Sequence, residues 1–418
     1  MDRAILHCDC NSFFASVETV LDPALAAGPM AVCGDPESRH GIILAKNEAA
    51  KRFGIQTAET IWQAKRKCPS LRLVRPHREQ YLAFSARVNE IYNRYTDLVE
   101  PFGIDESWLD ITGSMHLFGT PVEIADRLRA EVRSETGLTI SVGVSFNKTF
   151  AKLGSDYKKP DATTVIGRGD VARIVWPLPV QAMLYVGGAA QKELNALYIE
   201  TIGQLAHADR QMLARRLGHV GELLHDYANG LDDAPVRPAA ERREVKSVGN
   251  GTTFRRDLLG EGDVRTGIAI LADEVAMRLR KKGFCCRTVQ LSIRDTTFHT
   301  ITRRQTLERP TSLARELTGA CLALYRANWD ARKPIRMLTV TAMNLLPTQC
   351  EFEEQTSFFD GAADARDRQR RLEQTLDALR RKYGADALTS AAVLGADFLG
   401  GDPADGDKII ELKGAPHS

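Results

Sequence analysis

The residues best suited to chemistry are the neighbouring carboxylates Asp105 and Glu106, set in the stretch Phe102-Gly103-Ile104-Asp105-Glu106-Ser107-Trp108-Leu109-Asp110-Ile111. Apolar residues on either side read as two short strands, with the acids at or near the turn between them. A third acid, Asp9, ends the apolar run Ala4-Ile5-Leu6-His7-Cys8. Two unit charges about 4 Å apart repel by about 4 kcal/mol at an effective dielectric of roughly 20, so three converging carboxylates need divalent cations or a bound proton. Magnesium takes hard oxygen ligands and keeps positions open for substrate phosphates. The chemistry that such a trio supports is two-metal nucleotidyl transfer, in which positioning and charge outweigh covalent work by side chains. The nine histidines are dispersed, and none is placed as a general base.

Elements on both sides have to deliver these acids. Residues 4–9 read as a buried strand and 11–20 as the helix after it. In the turn between them Phe13 and Phe14 either wall off a sugar or base beside Asp9, or fill the core. Strands are expected over 30–34 and 40–46 and a helix over 47–53, where Lys46, Lys51 and Arg52 face solvent or phosphate. Between His77 and Tyr95, Tyr81, Phe84, Val88, Ile91, Tyr92 and Tyr95 recur at helical spacing. A helix over 121–136 and a strand over 138–145 complete a strand–helix–strand alternation around the acidic hairpin. Lys148, Lys152, Lys158 and Lys159 follow on a further helix that Pro160 closes. A basic face there suits a triphosphate; the alternative is a solvated face.

Residues 166–235 change to short helices broken by glycine. Val186-Gly187-Gly188 and Leu217-Gly218-His219-Val220-Gly221 each adjoin a helical pattern, where backbone N–H groups can approach phosphate closely. Ala234 to Arg243 reads as a linker. Residues 244–345 then read as a strand–helix–strand–strand–helix–strand unit, with helices over 262–282 and 311–327 and strands over 286–294, 298–306 and 335–343. Lys246, Arg255, Arg256, Lys281, Lys282, Arg287, Arg294, Arg303 and Arg304 are spread over it. Residues 237–310 hold 16 Lys/Arg against nine Asp/Glu, the footprint of a phosphate-binding surface. Few aromatics interleave, which favours salt-dependent binding to nucleic-acid backbone over base stacking.

After Pro347 comes Glu354-Gln355-Thr356-Ser357-Phe358-Phe359-Asp360, either a linear motif for a partner's groove or a buried loop anchor. A charged helix over 364–383 follows, with Leu372, Leu376, Leu379 and Tyr383 as its apolar stripe. From Gly400 the chain is Gly/Asp-rich and reads as a loose end.

At 418 residues the chain is long enough for about two to four domains. A formal charge of +2 says nothing by itself about nucleic acid. Eight cysteines without a CxxC pair argue for reduced thiols in cytoplasm, and against a zinc site or a disulfide framework. No apolar run approaches the roughly 18 residues that a membrane span needs, and the N-terminus lacks a signal-peptide pattern.

In this order the pieces resemble the Y-family DNA polymerases of the bacterial DNA polymerase IV type. The resemblance rests on the Asp9 segment, Gly103-Ile104-Asp105-Glu106-Ser107, Ser141-Val142-Gly143-Val144-Ser145-Phe146-Asn147-Lys148 and the run ending Lys159-Pro160. It implies an α+β, multidomain right-hand polymerase. The palm (1–10 and 76–165) is ferredoxin-like, the fingers (11–75) are small, and the thumb (166–235) is helical, with helix-hairpin-helix-like turns. A linker (236–243) leads to a βαββαβ little finger (244–345) and a tail (346–418).

By position it makes Asp9, Asp105 and Glu106 the catalytic metal ligands, helped by the backbone carbonyl of Cys10, with two Mg2+ per site. Phe14 matches the steric gate against a ribose 2′-hydroxyl, and Phe13, Lys46, Lys51 and Lys159 border the dNTP. Gly187, Gly188, Lys246, Arg255, Arg287, Arg303 and Arg304 are the implied contacts to primer–template DNA. Gln355, Phe358 and Phe359 match a motif for the bacterial sliding clamp. The implied protein is a cytoplasmic monomer that copies damaged template with low fidelity and without proofreading.

Two departures stand out. Glu48 and Lys51 occupy positions where many family members carry Tyr and Arg, and Val186-Gly187-Gly188-Ala189 replaces a proline–glycine turn. Lys51 keeps a point charge but not a bidentate fork. Two other functions fit parts of the pattern. A template-independent palm-type transferase would leave the thumb and the basic 244–345 unit without a purpose. A non-catalytic clamp-tethered DNA-binding adaptor would not need the acidic trio.

Overall fold

The first strand, β1 (Ile5–Cys10), is buried at every position, which requires cover on both faces and partners on both edges. The computed structural model describes residues 2–36, 41–239, 241, 244–351, 361–384, 387, 388 and 398. They divide into two compact units, one running to residue 242 and the other from residue 243 onward.

In the first unit β1 leads to α1 (Phe13–Leu21), β2 (Met30–Cys33), β3 (Ile43–Lys46), α2 (Glu48–Lys51), α3 (Ile61–Lys67) and β4 (Arg72–Val74). Next come α4 (Arg78–Tyr92), the hairpin strands β5 (Val99–Pro101) and β6 (Glu106–Asp110), α5 (Met115–Phe118) and α6 (Pro121–Thr136). After them follow β7 (Ile140–Ser145), α7 (Lys148–Tyr157) and β8 (Thr163–Ile166). The short helices α8 (Gly188–Ala196), α9 (Ile202–His207), α10 (Arg210–Leu217) and α11 (His219–Ala228) close the unit.

Five strands form one sheet in the order β5-β6-β1-β7-β8, so β1 lies between the acidic hairpin and β7 and is antiparallel to both. β3, β2 and β4 make a separate three-stranded sheet. Tyr81, Val88 and Ile91 of α4 pack with Ile124, Leu128 and Val132 of α6 and with Leu6 and Leu109 of the larger sheet. Helix α6 is fixed at its start by a Thr120–Glu123 capping box with Pro121 in the first turn, and ends at Gly137 in the left-handed region.

Close packing of α7 over β7 depends on paired glycines. A Cβ at Gly143 would come within 1.8 Å of the Ala151 carbonyl oxygen, and one at Gly154 would meet Gly143 Cα at 3.0 Å. Only glycine allows this approach, and it lays the lysine-bearing helix across the acidic strands. Helix α1 starts at Phe13 rather than at residue 11, because Ser12 takes a left-handed φ of 49° in the turn. The helix expected over 47–53 is a single turn, capped by Asn47 and followed by Gly54 at φ 71°.

The second unit runs β9 (Ser247–Leu258), α12 (Gly260–Lys282), β10 (Phe284–Asp295), β11 (Thr300–Thr311), α13 (Ala314–Asn328) and β12 (Ile335–Pro347). The sheet order is β11-β10-β12-β9, and the element order is the expected βαββαβ. Val289, Leu291, Ile293, Leu338 and Val340 pack against Leu271, Val275, Leu317 and Tyr325 of the helices. The register places Gln290, Ser292 and Arg294 opposite Arg304, Thr302 and Thr300 on the other face of the sheet.

A last helix, α14 (Gly361–Tyr383), docks by its charged face. Arg280 of α12 donates to Asp377 at 2.7 Å and also pairs with Glu373, whose carboxylate accepts from the Ala314 backbone at the start of α13. Arg366 pairs with Glu316, and Arg380 with Asp273. Of the apolar stripe, Leu372, Leu379 and Tyr383 are exposed and Leu376 is half-buried. Buried charges fully paired and at a helix N-terminus can hold a helix in place of an apolar seam. Among the described residues no helix is long and apolar enough to cross a membrane. Residues Gln355, Phe358 and Phe359 lie outside the described residues.

Candidate active site

Strand pairing brings the acids together. Asp9 lies directly opposite Glu106 in the β1–β6 register, and the Cys10 backbone N–H donates to the Asp105 carbonyl at 3.0 Å. The turn after Asp9 is pinned by Asn11, whose side chain donates to Thr139 Oγ1 at 3.0 Å and accepts from Ser141 Oγ at 2.8 Å. Asp9, Cys10 and Asp105 line a cavity of about 320 Å³ with Phe13, Phe14 and Lys159. Leu44, Ala45, Lys46, Lys51 and Thr57 from the smaller sheet, its helix and its loop form the opposite wall.

Helix α7 and the residues just after it supply counter-charges. Lys159 Nζ lies 2.8 Å from Asp9 Oδ2 and 2.6 Å from Asp156 Oδ1. Lys152 Nζ lies 2.5 Å from Glu106 Oε2, and Lys148 Nζ 2.7 Å from Glu100 Oε2. Of the four lysines expected on this face, Lys148, Lys152 and Lys159 are turned to acids, while Lys158 is exposed.

Beneath Glu106 is the fully buried His7, with Nε2 3.2 Å from Glu106 Oε2 and Nδ1 2.8 Å from Ser155 Oγ. Ser155 donates its one hydroxyl proton to the Lys152 carbonyl, so it accepts from His7 Nδ1–H. The neutral ring then presents a lone pair to Glu106. His7 Nε2 accordingly has no aligned hydrogen bond. Neither His7 nor Lys152 was singled out beside Glu106 in the sequence; the available signal was the two-residue spacing of His7 from Asp9, which puts both on one face of β1.

Burial pushes the Asp9 carboxyl up to about 6, against the opposing pull of Lys159. Burial and then the neighbouring Glu106 also raise Asp105. Burial works in the same direction on Glu106, but the Lys152 ammonium beside it outweighs that and holds the carboxyl well below its ordinary range. Burial lowers His7 to about 4, so its ring is neutral at pH 7.

Among the described residues no three acidic, His or Cys side chains converge at ligand spacing. Asp9 and Glu106 are instead each drawn to a lysine, and two desolvated carboxylates remain at the cavity with raised proton affinity. Hard oxygen donors of this kind, under-compensated and open to a cavity, fit a divalent cation.

The remaining candidates fall as follows. Phe13 is buried in the core as well as at the cavity wall, while Phe14 is half-buried, so both readings of the aromatic pair hold in part. Lys46 Nζ donates to Thr57 Oγ1 at 2.9 Å. Lys51 Nζ is 2.5 Å from Glu48 Oε1, which also accepts from Ser12 Oγ at 3.3 Å. Gly187 and Gly188 are exposed at the start of α8, which has no side-chain cap.

In the second unit Lys246, Arg255, Arg287 and Arg304 are exposed. Arg304 lies on the polar sheet face and bonds Gln290 at 2.8 Å. Arg303 points to the helix side of the same strand, where it donates to Asn328 at 2.9 Å. Consecutive strand residues cannot share a face.

Comparison with known proteins agrees with this geometry. The sequence pattern of the impB/mucB/samB family matches residues 8–156, and that family's C-terminal domain matches residues 245–358. A DNA polymerase IV of Acetivibrio thermocellus is 43% identical over 384 residues, 92% of this chain and 96% of that protein. A DNA polymerase IV of Moorella thermoacetica is 38% identical over 400 residues, 94% of this chain and 98% of that protein. Among solved structures, a Y-family DNA polymerase chimera of Dbh and Dpo4 superposes with a TM-score of 0.72 at 22% identity, covering 82% of this chain and 99% of that one.

Proposed function

The chain belongs to the impB/mucB/samB family, whose members above are named DNA polymerase IV, and on that premise we propose that it is a low-fidelity translesion DNA polymerase. It adds deoxynucleotides to a primer 3′-hydroxyl under template direction and depends on divalent metal. The observation that carries the reading is the cross-strand placement of Asp9 against the Asp105–Glu106 turn at a cavity walled by Phe14, Lys51 and Lys159.

In this reading the five-stranded sheet is the palm, the three-stranded sheet with α2 and α3 the fingers, α8 to α11 the thumb and the second unit the little finger. Asp9, Asp105, Glu106 and the Cys10 carbonyl hold two Mg2+. When bound, these cations activate the 3′-hydroxyl and stabilise the leaving pyrophosphate. Lys159, paired with Asp9, would meet the triphosphate, with Lys46 and Lys51 facing it across the cavity. Lys152 holds Glu106 ionised and aimed, with the buried His7 ring packed beneath it. Phe14 closes the sugar side.

Primer–template DNA contacts Gly187 and Gly188 of the first unit and, in the second, the polar sheet face that carries Arg304, with Lys246, Arg255 and Arg287; Arg303, on the helix side, is not one of these contacts. Gln355 to Phe359 tether a cytoplasmic monomer to the sliding clamp. The test is primer extension with Mg2+ on plain and lesion-bearing templates. Template-dictated incorporation is expected. Incorporation that ignores template, or none, would sink the reading in favour of the transferase or the adaptor.

Three expectations arise here. Asp9 has a folded-state carboxyl near 6 against an ordinary 3.8, so its stabilising contribution is complete below about pH 3.8 and is lost as pH rises through 6. Glu106, held near 2 against 4.5, contributes above 4.5 and loses that contribution only as pH falls through 2. Between pH 7 and 5 the Asp9 gain is offset by the buried His7, held near 4 against 6.5, which costs the fold stability as pH falls through 6.5, so metal-free protein should melt at nearly the same temperature at pH 5 and pH 7. Added Mg2+ should raise the melting temperature more at pH 7 than at pH 5. Thermal unfolding with EDTA or Mg2+ measures both.

Glu48→Gln frees Lys51 and removes a negative charge from the triphosphate wall. KM for dNTP should fall about two- to fivefold, the scale of a screened exposed pair. Steady-state kinetics on a single-nucleotide gap would read it.

Arg304→Ala should weaken DNA binding equally across sequences and reduce the slope of log K against log salt by about 1. Anisotropy titrations from low to high salt provide that slope.

A further inference from the structure

One fully buried acid is not used by the mechanism above. Glu18 on α1 is 2% exposed, beneath the aromatic wall of the cavity. A buried carboxylate is tolerated only when donors satisfy it. Glu18 accepts from the Tyr81 hydroxyl, from the His77 backbone N–H at 3.3 Å and from His77 Nδ1 at 2.9 Å. Tyr81, itself fully buried, stacks on Phe14 with ring centroids 4.2 Å apart and planes 11° from parallel. Phe13 lies tilted against both rings, with centroids 5.7 Å from Phe14 and 6.2 Å from Tyr81. Phe14 therefore has the cavity on one side and a ring on the other whose far end is fastened to a buried charge.

We propose that Glu18, through the Tyr81 hydroxyl, is a positioning residue that stiffens Phe14 and so sets how strongly the site rejects a ribose 2′-hydroxyl. The inference rests on the reading of Phe14 as the sugar-side wall. A wall discriminates by steric repulsion only as far as it refuses to yield. Phe14 can yield in one direction, toward Tyr81. Tyr81 in turn is blocked by the α4–α6 core around its ring and by its bond to Glu18 at the para position. Loss of that one bond removes no atom from the cavity surface, yet it lets both rings slide back.

The experiment compares the ratio of kcat/KM for dNTP to that for the matching rNTP in the wild type, Tyr81→Phe, Glu18→Gln, Phe14→Ala and the double variant Phe14→Ala/Tyr81→Phe. Tyr81→Phe keeps the ring and removes only the hydroxyl. Its ratio should fall about tenfold, equal to about 1.4 kcal/mol, chiefly through a lower KM for rNTP. Glu18→Gln should shift the ratio the same way by a smaller factor. In the Phe14→Ala background Tyr81→Phe should have no further effect, because it acts only through the ring that is gone.

An unchanged ratio in Tyr81→Phe and Glu18→Gln, with Phe14→Ala losing selectivity, overturns this inference alone. Selectivity retained by Phe14→Ala overturns the reading of Phe14 and the inference with it. Equal falls in dNTP and rNTP efficiency in Tyr81→Phe would mark a merely structural role and also overturn the inference. Should Glu18→Gln fail to fold, Tyr81→Phe and the double variant decide the matter.

Discussion

Asp105→Asn should reduce kcat for primer extension by about 10³-fold or more, a loss of about 4 kcal/mol of transition-state stabilisation, while the protein stays folded. The side chain lies at the cavity with its carboxyl raised by burial and by the neighbouring Glu106, so the folded protein holds this charge at a cost. An amide of the same shape keeps an oxygen but loses the charge that binds a divalent cation. It also ends the repulsion with Glu106. The melting temperature of the metal-free variant should therefore equal or exceed that of the wild type, and its rise on adding Mg2+ should shrink. Single-turnover extension together with thermal unfolding measures both. Extension near the wild-type rate would remove Asp105 from the metal site. A large fall in melting temperature would make the residue structural instead.

Phe14→Ala should admit ribonucleotides, with the preference for dNTP falling about 100-fold, or about 2.7 kcal/mol. The ring is half-buried at the cavity wall, in a helix that begins only at residue 13 because of the left-handed turn at Ser12. Its truncation opens space where a 2′-hydroxyl would sit and leaves Asp9 and Asp105 in place. Deleting a stacked aromatic also lowers stability by roughly 3 kcal/mol, so the ratio of the two nucleotides, and not either rate, is the informative quantity. Competition between dNTP and rNTP on one primer gives it directly. A preference unchanged within about twofold would exclude Phe14 as the wall.

The acidic hairpin was legible because its chemistry is improbable for a core: two adjacent carboxylates between apolar strands, and a third ending an apolar run. The order of elements in the second unit was legible from hydrophobic periodicity. Other features needed coordinates. Lys152 of α7 and Lys159 just after it were visible, but their partners were not, since Glu106 and Asp9 come from strands far away in sequence.

Glu18 did leave a signal. It sits with Phe14, Val17 and Leu21 at helical spacing on the face of α1 that should have been apolar, and an acid there needs donors. Arg303 and Arg304 were grouped as DNA contacts, although consecutive strand residues point oppositely and the period of two was enough to separate them. The stripe of α14 did not tell how the helix docks, because amphipathicity shows which face is apolar, not which is docked. Ion pairs to Arg280, Glu316 and Asp273 decided that.

The central place of β1 has a consequence during synthesis. Its neighbours β6 and β7 leave the ribosome only after residue 110 and residue 145 have been made. At about 5–20 residues per second, the Ile5-Leu6-His7-Cys8 segment waits on the order of ten seconds with both edges bare. The nascent chain is open to chaperone capture or mispairing for that interval. The pairing of Asp9 with Glu106 cannot form before it ends.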